Sequence, residues 1–134
     1  RLGLSLDSSF DLTWAPEHAS SNQTPPLPNV RRPCVLGDVL SRSVDITSVP
    51  RKSLLRALAE ACAESEDRLK LLHLCSRGGR DAYKREMVEE APTLVDLLTT
   101  IAPSCAPDLA TLLDALTPLQ PRMYSITTAP DALM

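Results

Sequence analysis

The residues best suited to chemistry lie close together near the end of the chain, in the stretch LQPRMYSITT at 119–128. Its β-branched residues favour an extended backbone, on which Arg122 and Tyr124 point to one face and Met123 and Ser125 to the other. A guanidinium donates to two phosphate oxygens at once, and a tyrosine beside it offers a flat ring and a hydroxyl. The pair therefore suits a ligand with a pyrophosphate and an aromatic ring, and Ser125 reaches such a ring if the strand twists locally. The alternative is an ordinary edge strand with a surface Arg–Tyr pair.

The other polar residues do not form a catalytic or metal-binding pattern. His73 and Cys75 are two positions apart on a predicted helix and project from different sides of it, which disfavours a shared zinc ion. Glu64, Glu66 and Asp67 cluster at a predicted helix start, where capping explains them. The sequence also lacks the glycine signatures of hydrolase elbows, P-loops and dinucleotide folds. No catalytic or metal-ligating residue is therefore assigned.

The composition narrows the class of protein. The 134 residues include 14 basic and 17 acidic side chains, and a net charge of −3 disfavours nucleic-acid binding. Only 3% of residues are aromatic, so the core must come from Leu, Val and Ala, which favours a mainly α fold. The four cysteines have no C-x-x-C spacing, which is typical of reduced thiols in a cytoplasmic protein. No apolar run approaches the roughly 18 to 20 residues of a membrane span.

Six short amphipathic helices are predicted after a mixed N-terminal segment and a Pro- and Ser-rich loop at 15–33. In that loop the Pro25-to-Pro28 spacing alternatively suits a polyproline-binding groove. Ser65 is the predicted N-cap of the third helix, and Leu69 in the third and Val95 in the fifth are among the residues predicted to face inward. Apolar spacing and Pro or Gly breaks place the helices at about 36–44, 51–63, 66–77, 80–90, 92–102 and 107–117.

Two parts of the sequence resemble a known family. The stretch RMYSITT at 122–128 is similar to the R-x-Y-S signature of FAD-binding barrels of the ferredoxin–NADP⁺ reductase type. The residues before it resemble the helical connecting domain that diflavin reductases insert into that barrel. The stretches VPRKSLLRAL, LHLCSRGG, APSCAP and LQPRMYS are most similar to the methionine synthase reductase branch of this family. Because the chain begins without Met and stops soon after the strand-like segment, we expect it to be a piece of a longer protein.

The resemblance implies a division of the chain and a role for each residue of the motif. Residues 1–118 would form the helical connecting domain, and residues 119–134 the first FAD-contacting strand of the barrel. Arg122 would bind the pyrophosphate of FAD, and Met123 would contribute mainly backbone contacts. Tyr124 would pack against the isoalloxazine ring, and Ser125 would form a hydrogen bond near the reactive edge of the flavin.

The resemblance also implies an activity for the longer protein. Electrons would pass from NADPH to FAD, then to FMN, and finally to a protein-bound acceptor, which in the methionine synthase reductase branch is the cobalamin of methionine synthase. The expected partners are the FMN-binding and NADPH-binding domains of the same chain, with neither nucleic acid nor membrane. The present chain alone is not expected to turn over NADPH or hold FAD tightly. A freestanding helical interaction module without flavin is the competing hypothesis.

Overall fold

The computed structural model describes residues 3–12, 27, 30, 32–120 and 124–125. Six helical segments occur within them, and the fourth and fifth continue in π-helical geometry through Lys84–Glu89 and Leu97–Ile101. The prediction of a mainly α fold with about six short helices is confirmed. The α-helices are α1 (Leu36–Arg42), α2 (Lys52–Glu60), α3 (Ser65–Cys75), α4 (Arg80–Tyr83), α5 (Leu94–Asp96) and α6 (Leu109–Ala115).

Two short antiparallel strand pairs tie together segments that are far apart in the sequence. Strand β1 (Ser9–Phe10) pairs with β2 (Cys34–Val35), and β3 (Val44–Asp45) pairs with β4 (Thr117–Pro118). Further backbone hydrogen bonds from the start of α1 to Leu6 and Ser8 extend the first contact. The two pairs therefore fix the N-terminal segment and the exit from α6 against the ends of α1.

The core is built mainly from leucine side chains, as the low aromatic content predicts. Helices α2 and α3 form the most extensive helix pair and contribute Leu55, Leu58, Leu71 and Leu74, all almost inaccessible to solvent. Leu27, from the Pro-rich loop, is also buried in this cluster. Side chains three or four positions apart lie on the same face of a helix. Leu55 and Leu58 in α2, like Leu71 and Leu74 in α3, are three positions apart and therefore form one apolar stripe directed at the core.

Side-chain caps fix the beginnings of the last two helices. Thr93 and Asp96 form a reciprocal capping box at α5, in which each side chain accepts a hydrogen bond from the other residue's amide. At α6 the Asp108 carboxylate accepts from the Thr111 amide at 2.9 Å. The sixth helix begins within two residues of the predicted start at 107, whereas the capping role of Thr93 was not predicted.

Several predicted helix limits are wrong by a few residues. The first helix ends at Arg42, because the backbone of Val44 pairs with β4 instead of continuing the helix. The second helix spans Lys52–Glu60 and stops short of 63, since residues 61–63 turn into an isolated bridge with the segment around residue 105. Ser65 is the first helical residue, and the N-cap position belongs to Glu64.

Two residues predicted to face inward are exposed. Leu69 is 65% exposed and Val95 is 61% exposed. Both residues lie on helices that have apolar residues on more than one face. The distribution of apolar residues in the sequence therefore did not specify which face of each helix packs against the core. In α3 the buried positions are Leu71 and Leu74, and around α5 they are Leu94 and Leu97.

Candidate flavin-binding segment

The structure describes half of the predicted site. Arg122 and Met123 lie outside the described residues, and the described residues of the predicted strand, 119–120 and 124–125, have no strand conformation. Tyr124 is 79% exposed, and Ser125 is exposed as well, with no regular secondary structure at either residue. The phenol ring and the hydroxyl are therefore accessible to a ligand, and neither is used to fill the core of this chain.

The backbone leading into the motif is anchored to the helical body. In the β3–β4 pair, Val44 lies opposite Pro118 and Asp45 opposite Thr117. One residue later, the Leu119 amide donates to the carbonyl oxygen of Ser43 at 2.9 Å. Proline lacks an amide proton and is tolerated in such a short ladder only where no donor is required. The chain is thus held up to residue 119, five residues before Tyr124.

A carboxylate-centred turn stiffens this anchor. One oxygen of Asp45 accepts hydrogen bonds from the Thr47 amide at 3.0 Å, the Thr47 hydroxyl at 3.1 Å and the Ser48 amide at 2.9 Å. The Thr47 amide is the main cause of a lowered pKa of the Asp45 carboxyl, because it stabilises the charged form. The turn directly follows β3, so it holds the strand on which β4 depends.

The helical body also contains a cationic cleft, which the sequence reasoning missed. It has a volume of about 600 Å³ and combines side chains from the start of α2, the end of α3 and α4. The Lys52 ammonium lies 5.1 Å from the centre of the Tyr83 ring, and the Tyr83 hydroxyl donates to the Pro50 carbonyl at 2.9 Å. Its lining residues are Lys52, Cys75, Ser76, Arg77, Arg80 and Tyr83.

The thiol in this cleft is not activated. Burial raises the pKa of Cys75, while the positive charges of Arg56 and Lys52 act in the opposite direction. The Cys75 sulfur also donates to the Lys52 carbonyl at 3.3 Å. Burial thus disfavours the thiolate, which is the reactive form of cysteine, and the cationic side chains of the cleft can attract an anion by charge. The cationic character of this cleft could have been predicted from Arg77 and Arg80, which flank Gly78 and Gly79 in the sequence.

Two other kinds of feature are absent from the residues that the structure describes. Within them, no three His, Cys, Asp or Glu side chains come together in a way that could hold a metal ion. In the same part of the chain, no helix is both long and apolar enough to cross a membrane.

Comparison with known sequences identifies the family. The sequence profile of the FAD binding domain matches residues 2–133, which is nearly the entire chain. The chain belongs to the FAD-binding domain family of the diflavin reductases. The family resemblance seen in RMYSITT and the preceding helices is thereby confirmed.

The chain is similar to several reductases and to nitric oxide synthases. It is 43% identical to methionine synthase reductase of Bos taurus over 72% of this chain and 14% of the relative. It is 39% identical to nitric oxide synthase of Drosophila melanogaster over 73% of this chain and 7% of the relative. For NADPH–cytochrome P450 reductase of Dictyostelium discoideum the values are 35%, 73% and 14%. The chain thus spans one seventh or less of the length of these relatives.

Proposed function

We propose that this chain is the helical connecting domain, residues 1–118, and the first FAD-contacting segment, residues 119–134, of an NADPH-dependent diflavin oxidoreductase. The observation that carries the proposal is the match to the FAD binding domain across residues 2–133, which includes the RMYSITT motif. The helical body supplies apolar packing and few reactive groups, as expected of a spacer. The terminal segment supplies the ligand-binding groups.

The motif fits the two chemically different parts of FAD. Arg122 would hold the pyrophosphate by a charge-assisted bidentate contact, with Met123 adding backbone contacts beside it. Tyr124 would pack its ring against the isoalloxazine, and Ser125 would donate to the edge of that ring. The exposure of Tyr124 and Ser125 supports this role, because a ring buried in its own domain could not meet a cofactor.

The longer protein would carry electrons from NADPH to a protein-bound acceptor. FAD held by Arg122, Tyr124 and Ser125 would supply the conversion of two-electron hydride chemistry with NADPH into the one-electron steps that an FMN domain requires. The FMN-binding and NADPH-binding domains of the same chain are the proposed partners. Among acceptors, the cobalamin of methionine synthase in the cytoplasm is favoured by the 43% identity to a methionine synthase reductase.

An apolar groove on the helical body supports packing against a neighbouring domain. It encloses about 350 Å³ between the N-terminal segment, α1 and the α5 region. Leu4, Leu6 and Val95 line it and are 48%, 63% and 61% exposed. A group of exposed apolar side chains of this kind is typical of a contact surface. The same groove would serve the competing function, a freestanding interaction module, and flavin binding distinguishes the two.

The test compares two arginine variants in the full-length reductase that contains this chain. We expect Arg122→Ala to weaken FAD binding by roughly 1.5 to 3 kcal/mol, about 10- to 150-fold in Kd, because a charge-assisted contact is lost. Arg42→Ala is the matched control, since Arg42 is exposed and only loosely paired with Asp38 at 3.9 Å. The measurement is the flavin-to-protein ratio after desalting, together with a FAD titration.

Equal flavin content and equal FAD affinity in the two variants would contradict the proposed role of Arg122. A second arm uses the isolated chain, which we expect to hold FAD only weakly because one segment provides a small share of the contacts. Stoichiometric binding at micromolar FAD or below in a calorimeter would show that this expectation is wrong.

A further inference from the structure

Two cysteines from distant parts of the chain lie directly opposite each other. Cys62 follows the end of α2, and Cys105 lies in the loop before α6; they form an isolated antiparallel bridge. The flanking backbone provides the hydrogen bonds of this bridge, from the Ala63 amide to the Ser104 carbonyl at 3.3 Å and from the Ala106 amide to the Ala61 carbonyl at 3.0 Å. Cys62 and Cys105 are therefore the non-hydrogen-bonded pair of the bridge.

Such a pair has the separation that a disulfide requires. In antiparallel pairing the Cα atoms of a non-hydrogen-bonded pair are about 4.5 Å apart. Disulfides form across Cα separations of about 4.4 to 6.8 Å, a range that includes the separation typical of this kind of pair. The remaining cysteines have other surroundings: Cys34 lies opposite Phe10 in the β1–β2 pair, and the Cys75 sulfur contacts the start of α2.

The two side chains also point to the same place. Both sulfurs donate to the carbonyl oxygen of Leu58, at 3.3 Å from Cys62 and 3.2 Å from Cys105. A shared acceptor makes the two sulfurs neighbours. Burial raises the pKa of the Cys62 thiol, so in the reduced protein it is mainly a hydrogen-bond donor, and exchange with a disulfide proceeds through a minor thiolate fraction that grows as the pH rises. Cys105 is 1% exposed, whereas Cys62 is partly exposed and can meet a reagent from solution.

We propose that Cys62 and Cys105 form a reversible dithiol–disulfide pair that low-molecular-weight disulfides such as oxidised glutathione can oxidise. The Cys62 thiolate attacks one glutathione sulfur, forms a mixed disulfide and releases one glutathione thiol. The Cys105 thiolate then attacks the Cys62 sulfur, forms the intramolecular disulfide and releases the second glutathione thiol. Two protein thiols are oxidised and one glutathione disulfide is reduced, so atoms and electrons balance.

The cross-link would lock the centre of the helical body. It joins the end of α2 to the loop before α6 and encloses residues 63–104, which contain α3, α4 and α5. The same junction already carries a hydrogen bond from the Ser104 amide to Asp67 at 2.8 Å. Closing a long loop restricts the unfolded chain, so oxidation should raise the melting temperature. This proposal concerns the helical body and does not depend on flavin binding.

The experiment oxidises the purified 134-residue chain in glutathione redox buffers and maps its thiols. Each cysteine lies on its own tryptic peptide, and the proposed bond joins peptides 57–68 and 86–122. Free thiols are alkylated in acid-quenched samples, which are digested without reduction and analysed by mass spectrometry. We expect this linked pair to be the main oxidised species and the melting temperature of the oxidised chain to rise by on the order of 10 °C.

Variants separate this bond from nonspecific oxidation. Cys62→Ala should abolish both the linked peptide and the thermal shift, while the matched control Cys75→Ala, which removes another partly exposed thiol, should retain both. Because Cys105 is buried and its replacement can disturb folding, the Cys62 variant carries the test. Three results would each overturn the proposal. The first is a disulfide that involves Cys34 or Cys75, and the second is a glutathione adduct on Cys62 without the linked peptide. The third is a Cys62 thiol that stays unmodified under conditions that modify Cys75.

Discussion

Gly79, at the turn between α3 and α4, offers a sharp test of how the helical body is packed. A Cβ atom built on this glycine would overlap the carbonyl oxygen of His73 and lie 2.7 Å from the carbonyl carbon. Ordinary van der Waals contact begins at about 3.4 Å. The obstacle is backbone rather than a flexible side chain, and Gly79 itself is buried. Any larger residue must therefore push α3 and α4 apart.

The neighbouring Gly78 provides a matched control. A Cβ atom there would meet only the Ser76 hydroxyl oxygen, at 3.9 Å, and Gly78 is exposed. Neither glycine has a positive φ angle, so the two substitutions differ in the space available and not in backbone conformation. Replacing a glycine where space permits stabilises a protein by about 0.4 to 1 kcal/mol, because the unfolded chain loses freedom.

The expected magnitudes follow from these contacts. Overpacking against fixed structure costs about 1 to 3 kcal/mol, and an overlap with backbone lies at the upper end of this range. Gly79→Ala should therefore lower the free energy of unfolding by about 3 kcal/mol, whereas Gly78→Ala should leave it unchanged or slightly higher. For a chain of this length, each kilocalorie corresponds to about 4 °C in melting temperature. The two variants should differ by at least about 10 °C.

Urea and thermal unfolding followed by circular dichroism measure both variants under identical conditions. The far-UV spectrum before unfolding shows whether each variant retains its helices. Equal stability of Gly79→Ala and Gly78→Ala would refute the close approach of the α3–α4 turn to the His73 carbonyl. A loss in Gly78→Ala as large as that in Gly79→Ala would refute the distinction between the two positions.

Two further perturbations test the helix ends. Thr93→Ala removes the capping box at α5 and should lower the free energy of unfolding in urea by about 1 kcal/mol. Val95→Ala is the control, because Val95 is exposed and its replacement should change this free energy by less than about 0.5 kcal/mol. Equal losses in the two variants would contradict the capping role of Thr93. Hydrogen bonds from the Ser104 hydroxyl and amide lower the pKa of Asp67 in the folded chain. The charged Asp67 carboxylate therefore stabilises the folded chain at pH values above the pKa that this group has in the unfolded chain. This stabilisation is lost as the pH falls through the pKa of the folded chain. Melting temperatures measured between about pH 5 and 2 should therefore fall more steeply in the wild type than in Asp67→Asn; parallel curves would exclude this contribution.

The helical class, the order of the helices and the flavin motif could all be predicted from the sequence. Proline and glycine limit where helices begin and end through their backbone chemistry, which is local and therefore readable, as at Asp108 after Pro107. The motif at 122–125 is likewise a contiguous set of residues. Its Arg122 and Met123 lie outside the described residues, so their predicted contacts with FAD stay predictions.

The tertiary structure decided which apolar residues are used and which distant residues meet. Leu69 and Leu71 are chemically identical, yet only Leu71 is buried, because the direction of the neighbouring helix selects one side of α3. Val44 lies outside the helix because its backbone pairs with Pro118, 74 residues later in the chain. Cys62 and Cys105, 43 residues apart, became neighbours in the same way. Local propensity acts within a few residues, whereas pairing between distant segments depends on the packing of the whole chain.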